Sequence, residues 1–124
     1  MRSLFAPLFT ALLLTLAAPH TAEAQQTTTG WVPPHDYQYF FDEGFYGNLV
    51  PVHVEAGLYY GHVRYNAVFG AAPYGVSNWA THHGMTDAAF AQRNQQYLSQ
   101  GYRLHHHQRF ATEGHILNQG IWYR

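Results

Sequence analysis

Cysteine and lysine are both absent from this 124-residue chain. Without cysteine there is no disulfide framework, no thiol nucleophile and no thiolate metal site. Without lysine the Ser-x-x-Lys motif of β-lactamase-type hydrolases is excluded. Serine is scarce as well. Beyond the N-terminal stretch only Ser77 and Ser99 occur, and neither sits in a Gly-x-Ser-x-Gly elbow. Charge is sparse: six basic residues, all arginine, face seven acidic ones, for a net charge of −1 with histidine neutral. That balance lacks the basic excess that nucleic acid demands.

One apolar run stands out, Leu4 to Ala18, preceded by Arg2 and followed by Ala22-Glu23-Ala24. It is shorter than the roughly 20 residues that cross a bilayer, and it leads into small residues at the positions signal peptidase reads. Residues 1–24 are therefore expected to be a cleaved signal peptide, leaving Gln25 first and no stable membrane anchor. The expected compartment is secreted or periplasmic.

What the chain has in quantity is aromatic residues, at 17%, and ten histidines. Residues 25–30, rich in Gln and Thr, read as a flexible leader. Trp31-Val32-Pro33-Pro34 reads as extended, and Asp36 to Asp42 as one or two helical turns. Val50, Val52 and Val54 alternate with Pro51 and His53, Gly61 marks a turn, and His62 to Phe69 alternates again: a hairpin. Residues 71–78 read as a linker loop. Asp87 to Gln100 is the strongest helix, with Thr86 as N-cap, Gly101 at C′, and Phe90, Tyr97 and Leu98 on one face. Tyr102 to Phe110 and His115 to Tyr123, separated by Gly114, read as a second hairpin.

The two hairpins superpose without a gap when Leu49–Phe69 slides onto Tyr102–Trp122. His53 meets His106, Gly61 meets Gly114, His62 meets His115, and Phe69 meets Trp122. Each strand pair is also preceded by a glycine-aromatic step, Gly44-Phe45 and Gly101-Tyr102, and further upstream Trp31 is paired with Trp79. The chain thus reads as a clipped first repeat (31–70) and a complete second repeat (79–124), forming one domain over 31–124. The expected fold is α+β: two helix-strand-strand units whose strands form one mainly antiparallel sheet, with the helix on one face.

His83-Gly84-Met85-Thr86, Phe90, Tyr97-Leu98, Gly101-Tyr102-Arg103-Leu104 and Ile121-Trp122 resemble the tandem repeat of secreted bacterial and fungal proteins. In that family the repeats commonly precede a β-lactamase-like serine hydrolase domain, as in polyglycine hydrolases. Arg64-Tyr65-Asn66-Ala67-Val68-Phe69 resembles the family's closing block. Leu117-Asn118-Gln119-Gly120 departs from it in the second copy. The resemblance implies a repeat architecture and an accessory role facing a ligand or partner, and no catalytic residues.

Three function classes follow. The first is an exported, non-catalytic module for an unknown ligand or protein partner outside the cytoplasm, without cofactor. Its candidate contact residues are Tyr59, Tyr60, His62 and His115, at the turns where aromatic residues are available to a partner. The second is a histidine-rich zinc or copper protein. Alternation places His105 and His107 on one strand face with His106 opposite, and His115 opens the partner strand. The competing explanation is that these imidazoles are polar repeat positions. The third is a small hydrolase with a Ser-His-acid triad assembled in space, for which no motif speaks.

Overall fold

The computed structural model describes residues 26–42 and 47–124. The expected signal peptide and the Gly44-Phe45 step lie outside the described residues. The elements are β1 (Thr27–Thr28), α1 (Pro34–Asp42), β2 (Val50–Tyr59), β3 (His62–Gly70), β4 (Trp79–Met85), α2 (Asp87–Ser99), β5 (Arg103–Thr112) and β6 (His115–Tyr123). The α+β class and the two helix-strand-strand units agree with the sequence pattern.

The strands form two three-stranded antiparallel sheets, ordered β1-β3-β2 and β4-β6-β5, where one sheet was expected. Each hairpin recruits a strand from upstream of its own helix. Thr27-Thr28, assigned to a flexible leader by composition, pairs with Phe69 and Val68. The β-branched threonines suit a strand, and their hydroxyls are engaged: Thr28 Oγ1 bonds Asn66 Oδ1 at 2.8 Å, and Thr29 Oγ1 accepts from the Ala67 N–H at 3.1 Å. The hairpins cannot join edge to edge, because side chains of β5 already occupy the outer edge of β2. His106 Nε2 lies 2.8 Å from the Val54 carbonyl, and Gln108 Oε1 accepts from the Ala56 N–H at 2.9 Å.

The repeat is geometric as well as sequential. Strands 50–59 and 62–70 return 53 residues later as 103–112 and 115–123, and the helix starts, Pro34 and Asp87, keep the same spacing. The register breaks recur too, between Pro51 and His53 and between Leu104 and His106. Thr28 faces Val68 as Thr81 faces Ile121, and Val32 bridges Tyr65 as Met85 pairs with Asn118. This register sets Trp31 against Gly84, so the pairing of Trp31 with Trp79 does not hold.

Local chemistry accounts for both helices. Pro34 stands at the first helical position, where the missing N–H costs nothing. Thr86 caps α2 by accepting from the Ala89 N–H at 3.1 Å. Its other end closes through Gly101 (φ 90°), with bonds from Gly101 N to Leu98 O and from Tyr102 N to Tyr97 O, a Schellman motif. Phe90, Asn94 and Tyr97 meet the buried Trp122, whose Nε1–H donates to Asn94 Oδ1 at 2.9 Å. Leu98, expected on that face, is exposed, because it lies one step further round the helix.

The main core joins the two sheets. Tyr37, Val54, Ala56, Tyr65, Ala67 and Phe69 from the first unit close on Ile121 and Tyr123 from the second. The buried Tyr123 hydroxyl donates to the Pro51 carbonyl at 2.6 Å, and burial pushes its pKa up to about 12.

Candidate binding site

The histidine cluster is divided among separate tasks. The register break before His106 turns His105 and His106 toward the first unit and His107 away from it. His105 stacks on Tyr123 with centroids 4.2 Å apart. His106 lies against His53 at 4.5 Å and bonds the Val54 carbonyl. His107 stacks on Phe90 of α2 at 3.8 Å and bonds Asn118 Oδ1 at 2.8 Å. The shared face expected for His105 and His107 is thus not formed, since a bulge inverts the alternation. His115 starts β6 opposite Thr112, with a buried Nδ1 that has no hydrogen-bond partner. Among the described residues no group of three or more His, Asp or Glu side chains is placed to hold a metal ion.

His82 and His83 lie in β4. Tyr97 Oη and Arg93 Nη1 approach His82 Nε2 at 2.8 and 3.4 Å. A guanidinium only donates, which favours an unprotonated Nε2. Burial, then the charges of Arg93 and His83, lower the His82 pKa to about 4. His83 is wedged between Tyr37 and Tyr65, each at 4.7 Å, and burial lowers its pKa too.

No triad is assembled among the described residues. The Ser77 hydroxyl donates to the Arg124 carbonyl and the Ser99 hydroxyl to the Gln96 carbonyl. Neither meets an imidazole.

The end of the β2–β3 hairpin is built differently. Tyr60 and Gly61 form the turn with φ of 48° and 79°, the left-handed pair that a two-residue hairpin loop favours. Tyr60 is 85% exposed and Tyr59 58%, with their rings edge to face at 4.5 Å. His62 pairs with Tyr59 across this turn. His115 holds the matching place on the other hairpin, and no ring contact or hydrogen bond joins it to the tyrosines. Beside Tyr59 opens a cleft of about 440 Å³ lined by Trp31, Gly57, Leu58, Tyr59 and Arg64. Of these, the sequence pointed to Tyr59 as a contact residue and to Trp31 among its exposed-aromatic candidates; Gly57, Leu58 and Arg64 went unmarked. The available signal was in the repeat alignment: Trp31 over Gly57 in the first unit faces Gly84 and Phe110 in the second, an exchange of large and small.

Comparison with known proteins agrees with this two-unit geometry. A family model described as polyglycine hydrolase-like, structural repeat, matches the chain twice, over residues 32–71 and 76–124. No curated protein and no solved structure matches it. The two matches begin and end close to the two units that the sheets define, and together they span most of the chain. The chain belongs to the polyglycine hydrolase-like structural repeat family, of which it carries two copies.

Proposed function

We propose that this chain is an exported, non-catalytic repeat module that binds a ligand or protein partner outside the cytoplasm through the end of its β2–β3 hairpin. The observation that carries the reading is Tyr60, a bulky residue at φ 48° and 85% exposed. A left-handed tyrosine is strained by roughly 1 kcal/mol or more, and Asn or Gly would relieve it. An exposed aromatic residue kept at such a position, beside a second exposed tyrosine, is a contact surface rather than a packing solution.

The test begins with the full chain produced in a bacterial host, with the exported protein expected to start at Gln25 by intact mass. That protein is labelled and applied to glycan and peptide arrays. Wild type is expected to give discrete positives that the Tyr59→Ala/Tyr60→Ala double variant loses. Tyr60→Asn alone should melt at the same temperature or a few degrees higher, as expected for a relief near 1 kcal/mol, while binding more weakly. Blank arrays, or positives unchanged in the double variant, would remove the reading.

A further inference from the structure

We propose that the cleft between Trp31 and Tyr59 is a saccharide subsite in which Arg64 selects sugars bearing a carboxylate, that is, uronates. The proposal rests on the binding-module reading and names its ligand class.

Three observations converge on it. The first is the platform. A Cβ built on Gly57 would stand 3.2 Å from Trp31 Cζ3 and 3.4 Å from Cη2, so the six-membered ring of the indole lies against the Gly57 backbone. That ring is held against the strand while the residue as a whole is 50% exposed. A fixed, half-exposed indole suits the flat C–H face of a pyranose, whose hydroxyls remain in water. The Leu58 and Tyr59 side chains extend the apolar lining, and the volume falls within the range of small-ligand sites.

The second is the charge. The Arg64 guanidinium lies 5.7 Å above the Tyr59 ring. Among the described residues, the ion pairs within reach of a carboxylate involve His35, His53 and Arg109, not Arg64. Stacking over a ring leaves the in-plane N–H donors of a guanidinium unspent, and their fork matches a carboxylate. Among the described residues none that is acidic lines the cleft to repel one.

The third is dispensability for the fold. At the repeat spacing, Trp31, Gly57, Leu58, Tyr59 and Arg64 correspond to Gly84, Phe110, Ala111, Thr112 and Leu117. The second unit builds the same strands, turn position and register without any of the five. They are not what the repeat needs to fold, so the cleft is an addition of the first unit. An acidic peptide is the lesser fit. Arg64 pairs with Gly57 and Val32 bridges Tyr65, so backbone beside the cleft is already engaged and offers few partners to a peptide chain.

The experiment uses the exported protein with three probes: hexagalacturonate, cellohexaose and hexaglutamate. Binding is followed by titration with NMR or calorimetry at low salt. Hexagalacturonate is expected to bind best, and to weaken when salt is added. Arg64→Gln should weaken it roughly tenfold or more, the scale of a lost charge-assisted hydrogen bond, with Arg64→Lys restoring part of the loss. Trp31→Ala should abolish binding and Trp31→Phe should keep some of it, which separates a lost platform from a lost fold. Equal binding of cellohexaose, with Arg64→Gln silent, would overturn uronate selection and leave the binding module standing. Binding of hexaglutamate alone would overturn the saccharide class. If no probe binds, the subsite proposal fails, and the arrays above then decide whether the module reading fails with it.

Discussion

A Cβ on Gly120 would stand 2.7 Å from Trp122 Cη2 and 3.0 Å from Cζ3. The indole folds back over its own strand, so residue 120 has no room for a side chain. In the first unit the corresponding residues are Ala67 and Phe69, both buried, and the smaller ring tolerates the methyl group. The two positions therefore vary together. Trp122→Ala is expected to cost about 3–5 kcal/mol, as large-to-small core changes do. Gly120→Ala should cost about 1–3 kcal/mol by overpacking. Combining Gly120→Ala with Trp122→Phe copies the first unit, and the pair should cost clearly less than the sum of Gly120→Ala and Trp122→Phe taken singly. Urea unfolding of the four proteins measures the coupling, and additive costs would mean that the ring does not press on residue 120. The exchange of Ala-Phe for Gly-Trp is visible in the aligned sequence. That the larger ring lies over the smaller residue is not, because the rotamer is set by α2 through Asn94 and Phe90.

At the scale of elements, both hairpins, the long helix and its two caps were legible, since each rests on local spacing and turn chemistry. The bulges were not. No glycine or proline marks the break before His106, so strict alternation misplaced His105 and His107. β1 and β4 were missed for a different reason: short strands next to proline and histidine pairs carry little periodicity, and their partners lie about 40 residues away. The strand position of His82 has a measurable consequence. Its pKa is lowered to about 4, and His83 and His106 are lowered as well, burial being the first cause in each. The unfolded chain holds these imidazoles near pKa 6.5, so below that pH it binds more protons than the folded chain. Stability is then full above about pH 7 and falls as pH drops through 6.5, continuing to about 4 for His82. Asp87 adds a loss only at the acid end of this window, because the unfolded carboxyl starts to bind protons as pH approaches about 4 while Arg109 and Asn118 keep the folded carboxylate charged. The melting temperature should decline steadily from pH 6.5 to 4.5, and less steeply in His82→Gln. A melting temperature that rises on acidification would show that these imidazoles gain protons on folding.

At the scale of the whole molecule, the units stack head to tail. The face of the first sheet that carries α1 receives the face of the second sheet that lies opposite α2, as the joint core of Tyr65, Ala67, Ile121 and Tyr123 shows. Such a heterologous contact leaves one receiving face and one inserting face over, and nothing in its symmetry limits the stack to two. The outer faces differ in chemistry from the inner ones. Val54, Ala56 and Tyr65, buried in the contact, correspond on the outer side of the second unit to His107, Arg109 and Asn118. These bond one another and the helix: Arg109 takes both Asp87 oxygens at 2.8 Å, and Asn118 joins Asp87 and His107 at 2.8 Å each. On the other outer side, Gln108 and Leu117 give way to Glu55 and Arg64. Polar outer faces are how repeat stacks avoid adding further copies. The repeat spacing makes these substitutions visible in the sequence, but which face they occupy depends on the bulges, which it does not reveal. Restoring the inner chemistry with His107→Val, Arg109→Ala and Asn118→Tyr should therefore create a seat for the polar face of a second molecule. That face is not fully apolar, so association should be weak, with wild type sedimenting as a single species and the triple variant showing concentration-dependent association in the ultracentrifuge. A triple variant that melts cooperatively and stays monomeric would show that face polarity is not what restrains stacking, and would shift that role to the helix packed on the same face.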